Sequence, residues 1–164
     1  MSLPARARDK SWRMADPTEP DFRLEASPFY WLTRISGRYM MEMSDLLRGI
    51  GMDVPRWRVL MILAEHEPAS ISTLSDEAVI NLSTMTKIVQ RMEADGLVVA
   101  GTRETDARVT EVRLTDKGRA ALVGVREKAG QVFRHAFDTL DGGAINGLLQ
   151  TLTQIYTNLE TPPA

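Results

Sequence analysis

A mainly α-helical fold carrying one small β-hairpin is predicted for this 164-residue chain, and three observations predict it. Apolar residues recur three and four apart through most of the sequence, which is the period of a helix with one buried face. Two β-branched runs stand next to each other, Leu97–Thr102 and Val109–Leu114, separated by the polar stretch Arg103–Arg108. That pattern reads as a hairpin with a long tip. Residues that cap or break helices fall at the ends of the periodic segments. The length suits one domain with a real core.

Residues 1–26 mix Pro, Arg and acids without a period and are expected as a flexible N-terminal arm. Arg-rich arms can touch DNA, but Asp9, Asp16, Glu19 and Asp21 accompany the arginines here. Ser27-Pro28 then opens a helix, Ser as the cap and Pro at the first helical position. Its stripe runs Phe29, Leu32, Ile35, Tyr39, Met43, Leu46, Leu47, Ile50, and Gly49, Gly51 and Asp53 end it. Pro55 begins a shorter helix with Trp57, Leu60, Met61 and Ala64 on one face, closed by Glu67-Pro68. Ile71 is expected as an extended bridge, and Ser72 as the cap of a very short helix reaching Ala78.

A turn at Val79–Asn81 leads into a fourth helix, capped by Asn81, with Met85, Ile88, Val89 and Met92 inward. Asp95-Gly96 closes it, Gly supplying the left-handed residue after the helix. After the hairpin, Thr115 caps a fifth helix carrying Leu122, Val125, Ala129, Val132, Phe133, Ala136 and Leu140. Gly142-Gly143 separates it from a sixth, with Ile145, Leu148, Leu149, Leu152, Ile155, Tyr156 and Leu159. The organisation is therefore an arm (1–26), a first long helix (27–52), a compact unit (53–115), two C-terminal helices (116–160) and a disordered tail (161–164).

Short helix, shorter helix, turn, amphipathic helix and hairpin, in that order, make a winged helix-turn-helix. Packing the inward stripe of the fourth helix leaves its outer face available to a DNA major groove. That face carries Ser83, Thr84, Thr86, Lys87, Gln90 and Arg91, groups able to bond phosphates and base edges. Arg103 and Arg108 sit at the hairpin tip, suited to a narrow minor groove. Asp106, two residues before Arg108, is placed to hold that arginine.

Charge tempers this reading. The chain's formal net charge is −2. Across residues 81–119 the cations Lys87, Arg91, Arg103, Arg108, Arg113, Lys117 and Arg119 face Glu93, Asp95, Glu104, Asp106, Glu111 and Asp116, an excess of one positive charge. Nucleic-acid binding then depends on which surface each charge occupies.

Other classes find little support. The absence of cysteine excludes a disulfide framework, a thiolate zinc site and a thiol redox sensor. His66 lies beside Glu65 and Glu67, but adjacent residues do not share a helical face, so no metal is expected. No nucleophile–base pairing or phosphate-cradling glycine loop is evident, and the chain is predicted not to be an enzyme and to need no cofactor. With no apolar run near the ~20 residues of a membrane span, a cytoplasmic location is expected.

The segments Asp106-Ala107-Arg108 and Leu114-Thr115-Asp116-Lys117-Gly118 resemble the D-x-R wing and L-T-x-x-G helix start of the MarR family. The stretch Leu82–Val98 resembles that family's recognition helix and its exit, and the likeness extends over about residues 27–160. The resemblance implies a homodimer whose first, fifth and sixth helices interlock, with two recognition helices on successive major grooves of an inverted-repeat operator in double-stranded DNA. The broad apolar stripes of those three helices agree independently, since they exceed what a small winged unit covers. By the same resemblance Thr84, Thr86, Lys87, Gln90 and Arg91 face the groove, Arg108 enters the minor groove and Asp106 supports it.

Many relatives are repressors released when a small aromatic or phenolic compound binds between the dimerisation helices and the winged unit. The matching surface here would involve Tyr30, Arg34, Arg38, Trp57 and Met61. Urate-responsive members carry an acid after the tryptophan where this chain has Arg58. The alternative is a constitutive DNA binder or a helical interaction module without an effector.

Overall fold

Six α-helices and three short strands follow one another in the computed structural model, which describes residues 10–160. Helix α1 (Pro28–Arg48) starts on Pro28 after an extended Ser27, though the Ser27 side chain makes no capping bond. It ends at Gly49, and Gly51 takes the left-handed φ of 68° that turns the chain into the next helix. Helix α2 (Val54–Glu65) begins one residue before Pro55, because the Asp53 carboxylate accepts the Arg56 N–H.

The next junction differs from the expectation. Strand β1 is Ala69–Ser70, paired antiparallel with the later strand β3 (Asp106–Leu114), Ala69 opposite Val112 and Ser70 opposite Glu111. Helix α3 (Ile71–Ala78) is capped by Ser70, whose hydroxyl oxygen accepts the Thr73 N–H at 3.0 Å. Ile71 is therefore the first helical residue and not the extended bridge, and Ser72 lies inside the helix. The sheet pairing holds the Ser70 backbone extended, which aims its side chain at the exposed amides of the first turn.

Asn81 caps helix α4 (Leu82–Ala94) as expected, accepting the Thr84 N–H at 2.9 Å. Gly96, φ 70°, carries the chain from its end into strand β2 (Val98–Arg103). Strand β3 (Asp106–Leu114) returns antiparallel, and the sheet order is β1-β3-β2. The hairpin tip is shorter than the six residues Arg103–Arg108 suggested. Arg103 still pairs with Asp106, after an irregularity at Thr102/Arg103, so only Glu104 and Thr105 form the turn. Helix α5 (Asp116–Phe137) is capped by Thr115 and stops three residues short of Leu140; α6 is Gly142–Glu160.

The core lies between α2, α3, α4 and the sheet. Leu60, Leu63, Leu74, Met85, Ile88, Val89, Met92, Val98 and Val112 are fully buried, and Met43 and Leu47 of α1 and Val125 of α5 close it. The tightest contact is at Gly118. A Cβ there would stand 2.0 Å from the Leu97 carbonyl oxygen, so α5 crosses the start of β2 at a distance only glycine permits.

The terminal helices behave differently. Helix α6 buries no residue, and Leu148, Leu149, Tyr156 and Leu159 are exposed along it. Phe29, Trp31 and Ile35 of α1 and Phe133 of α5 are also exposed. Phe29, Leu32, Leu152, Ile155, Tyr156 and Leu159 line an apolar groove where the start of α1 meets the end of α6.

From Lys10 onward the N-terminal segment expected as a flexible arm carries local structure. It has 3-10 turns at Lys10–Ala15 and Leu24–Ala26, and the Arg23 N–H donates to the Met14 carbonyl at 2.8 Å. The Arg13 guanidinium pairs with Glu19 at 3.0 Å and lies 3.8 Å from Asp21, so acids of the segment neutralise one of its arginines. The Trp31 indole N–H of α1 donates to the Glu25 carbonyl at 2.8 Å. The tail 161–164 lies outside the described residues.

Gly118→Ala should destabilise the protein by about 1–3 kcal/mol, the usual cost of forcing a methyl into filled space. Gly101→Ala on β2, where a Cβ meets nothing within 4 Å, should change stability by less than about 0.5 kcal/mol. Paired thermal melts compare the two.

Candidate nucleic-acid interface

Burial of Met85, Ile88, Val89 and Met92 turns the opposite side of α4 outward. Ser83, Thr84, Lys87, Gln90 and Arg91 are exposed on it, and Thr84, Lys87, Gln90, Arg91 and Ala94 share one shallow concave surface. Lys87, Gln90 and Arg91 make no side-chain hydrogen bond or ion pair with any other described residue, so no internal bond must break before they meet a ligand. Two hydroxyls are already engaged. Ser83 Oγ donates to Asn81 Oδ1 at 3.0 Å, which braces the helix start. Thr86 is half-buried and its Oγ1 donates to the Leu82 carbonyl at 2.9 Å, leaving only acceptor capacity and a methyl group.

The wing presents one arginine and restrains the other. Asp106 accepts three bonds from Arg108: Nε at 3.0 Å, an Nη at 3.1 Å and the backbone N–H at 3.1 Å. The Arg108 side chain is nonetheless 90% exposed, a cation held in direction while remaining open to solvent. Arg108 holds the Asp106 carboxyl below the usual carboxylate range, through its guanidinium first and its amide second. Arg103 is directed elsewhere. Its Nε donates to Glu111 Oε1 at 2.6 Å, and Arg113 donates to the other oxygen of Glu111 at 3.0 Å. Glu111, depressed below its ordinary value chiefly by Arg103, thereby engages two of the region's cations.

The five residues expected around an effector fall into separate groups. Tyr30 packs edge-on against Trp31 (5.2 Å), with the Arg34 guanidinium 5.4 Å from the Tyr30 ring centre. Arg38 is exposed and paired with Glu42 at 2.9 Å. Trp57 is buried, and Met61 packs partly buried against the core. The Trp57 indole N–H has no hydrogen-bond partner among the described residues. Its ring meets Tyr39 edge-on at 5.8 Å, and burial raises the Tyr39 hydroxyl above its ordinary pKa while the charge of Arg58 lowers it. Tyr39 lies roughly 13 Å along α1 from Tyr30, at 1.5 Å per residue.

Comparison with known proteins places this geometry in a family. The model described as the MarR family matches residues 50–109. The HTH-type transcriptional repressor IacR of Pseudomonas putida is 44% identical over 146 residues, 89% of this chain and 87% of that one. The chain belongs to the MarR family. A MarR-family regulator from Silicibacter pomeroyi superposes with a TM-score of 0.78 at 26% identity, over 87% of this chain and 96% of that one. CouR of Rhodococcus jostii RHA1, solved with p-coumaroyl-CoA, gives 0.74 at 21% identity (81% and 94% covered), and CouR on a 23-mer DNA duplex gives 0.72 at 22% with the same coverage. At those identities CouR establishes the shared fold. The protein is thus a winged helix-turn-helix, DNA-binding transcriptional regulator of the MarR type.

Several residues that shape this MarR interface are not visible as such in the sequence. Glu111 and Arg113 alternate along β3, and only the register that sets Arg103 near Glu111 shows they form one cluster. Arg56 of α2 bridges Asp53 and Asp95, tying the end of α4 to the start of α2. Tyr39 was one member of an apolar stripe until the structure set it against Trp57.

The Asp106–Arg108 bond can be read by titration. Because the Asp106 pKa is depressed in the fold, its bond contributes at all pH values above the ordinary carboxylate range and is lost as pH falls through the lowered value. Carboxyl NMR should give a titration midpoint below that of a model aspartate, and Arg108→Ala should return it upward.

Proposed function

We propose that this chain works as a homodimeric repressor that sets α4 of each copy in a major groove of an inverted-repeat operator and Arg108 of each wing in the adjoining minor groove. The observation carrying this reading is the pairing of an outward, internally unbonded Lys87–Gln90–Arg91 surface with an arginine held open by Asp106. Thr84 supplies a further hydroxyl to the groove, while Ser83 and Thr86 contribute what their internal bonds leave. Arg103, committed to Glu111, has the smaller share. IacR carries the word repressor in its name, and CouR has been solved on DNA, which supports the assignment.

The uncovered apolar surface of α1, α5 and α6 supports the dimer. Leu152, Tyr156 and Phe29 line a groove that a second copy would close, and exposed apolar area of this kind marks an association surface. A helical hairpin of this sort, interlocked with its copy, would hold the two wings on one side of the duplex. The protein would work in the cytoplasm, on DNA, without catalysing a reaction.

Release by a small aromatic ligand is the second half of the proposal. A buried indole N–H without a partner costs roughly 1–3 kcal/mol, so Trp57 offers a donor to any ligand oxygen that reaches it. Tyr39 beside it offers an aromatic edge. A phenol, or an aromatic acid, brings a ring to pack beside this pair and an oxygen that can accept the indole N–H. CouR in complex with p-coumaroyl-CoA is a relative in fold that takes an aromatic acyl compound. The alternative, a regulator without effector, gives up only this part.

Two measurements test the reading. Arg108→Ala should weaken binding to a duplex of the gene's own upstream region by about ten- to a hundred-fold, read by anisotropy at fixed salt, while the melting temperature stays unchanged. Leu152→Glu should yield monomers by light scattering and lose about a hundred-fold or more in DNA affinity, as the second half-site is no longer tethered. A wild-type monomer, or a duplex bound equally well by both variants, would end the proposal. For the effector, a panel of aromatic acids and phenols should include one that raises the melting temperature and lowers DNA affinity, both effects vanishing in Trp57→Phe.

A further inference from the structure

A carboxylate in the last turn of a DNA-facing helix is doubly unfavourable: it opposes the negative end of the helix dipole and stands near DNA phosphates. Glu93 is in that position, one residue from the end of α4. Its side chain is exposed, but its carboxylate is turned back onto the wing. Oε1 accepts the backbone N–H of Ala100, on β2, at 2.9 Å. Because β2 is the outer strand of the order β1-β3-β2, one side of it has no neighbouring strand, and the Ala100 N–H points to that side. The bond is a charged acceptor on a backbone donor, among the stronger kinds of hydrogen bond.

From this geometry we infer that Glu93 is the positioning residue that sets the wing relative to the recognition helix. The other ties are the Leu97 N–H donating to the Met92 carbonyl, the burial of Met92 and Val98, and the half-buried packing of Ala100 against the core, with Val112 opposite it paired to Ala69 of β1. They place the base of the wing. The Glu93 bond is the directed polar tie from α4, two residues past Val98, and so sets the angle at which β2 leaves. Ala100 stands opposite Val112, and Arg108 lies four residues beyond Val112 towards the tip. At about 3.4 Å per residue that is roughly 14 Å of lever, so a pivot of about 10° at Ala100 would carry Arg108 through roughly 2 Å. Groove contacts do not tolerate such a displacement. Asp106 orients the Arg108 guanidinium locally; Glu93 sets where the whole hairpin brings it.

This inference rests on the proposed DNA role of Arg108, and the test separates the two. A duplex selected from a random-sequence pool by the wild-type protein serves as the probe, with affinities measured at one salt concentration for Glu93→Ala, Glu93→Gln, Arg108→Ala and the Glu93→Ala/Arg108→Ala double variant. Glu93→Ala should weaken binding about three- to ten-fold, and Glu93→Gln, whose amide oxygen can take the same N–H, should recover most of that. The double variant should bind no more weakly than Arg108→Ala alone, since Glu93 acts through Arg108. An acid with no positioning role gives the opposite sign: its removal takes negative charge away from the DNA, and both Glu93 variants bind as well as or better than wild type. That outcome, or a double variant whose losses multiply, overturns the assignment of Glu93 while leaving the wing contact intact. If Arg108→Ala binds like wild type, the wing reading itself fails, and the Glu93 inference with it.

Discussion

Burial of one face of α4 is the constraint on which the rest of the molecule depends. Met85, Ile88, Val89 and Met92 are almost wholly removed from solvent, packed with Leu60, Leu63 and Leu74 beneath them. A straight helix cannot bury that stripe and also hide the residues a half-turn away, so Lys87, Gln90 and Arg91 must face out. The same core holds Val98 and Val112, which brings the hairpin up against the end of the helix. The outward side chains of α4 and the wing are therefore placed by one set of apolar contacts.

The electrostatics follow from selective neutralisation. A net charge of −2 does not describe a DNA-binding surface, and the near balance of charges from Asn81 to Arg119 does not either. The structure sorts these charges. Glu111 engages Arg103 and Arg113, Glu67 engages Arg119, and Asp95 engages Arg56. Glu93 is turned onto a backbone amide. What remains outward near α4 and the wing tip is Lys87, Arg91 and an Arg108 that its acid steers without covering, alongside the exposed Glu104 of the turn. A small excess of charge is made local by pairing the other cations with carboxylates.

The helices at the two ends of the chain show the complementary situation, with apolar side chains that the chain itself does not cover. Helix α6 has no buried residue, and the groove between its end and the start of α1 is lined almost entirely by hydrocarbon. The winged unit shares its core with Met43 and Leu47 of α1 and Leu122 and Val125 of α5, whereas α6 buries nothing in it. Between the two lies the Tyr39–Trp57 contact, the place where α1 meets α2 around an indole N–H that no other described residue accepts.

Much of this was legible in the residues themselves. Helix α4, its Asn81 cap, its Gly96 exit, the Thr115 cap and the inward stripe all follow from local chemistry: a 3.6-residue period, a side-chain oxygen within reach of the third amide, a glycine where φ is positive. The Asp106–Arg108 bond was equally readable, because its partners are two residues apart. Interactions across the chain were not. Ser70 caps α3 in place of Ser72 because β1 pairs with β3, more than forty residues later in sequence. The hairpin tip has two residues because Arg103 finds Asp106 across the turn, and Arg103 turns to Glu111 because the strand register puts it there. Tyr39 meets Trp57, and Glu93 meets Ala100, only once helices and strands have packed. Local periodicity and capping determined the elements and the face each would present; the partners of individual charged and aromatic groups were decided by strand register and helix packing, which no spacing along the chain encodes.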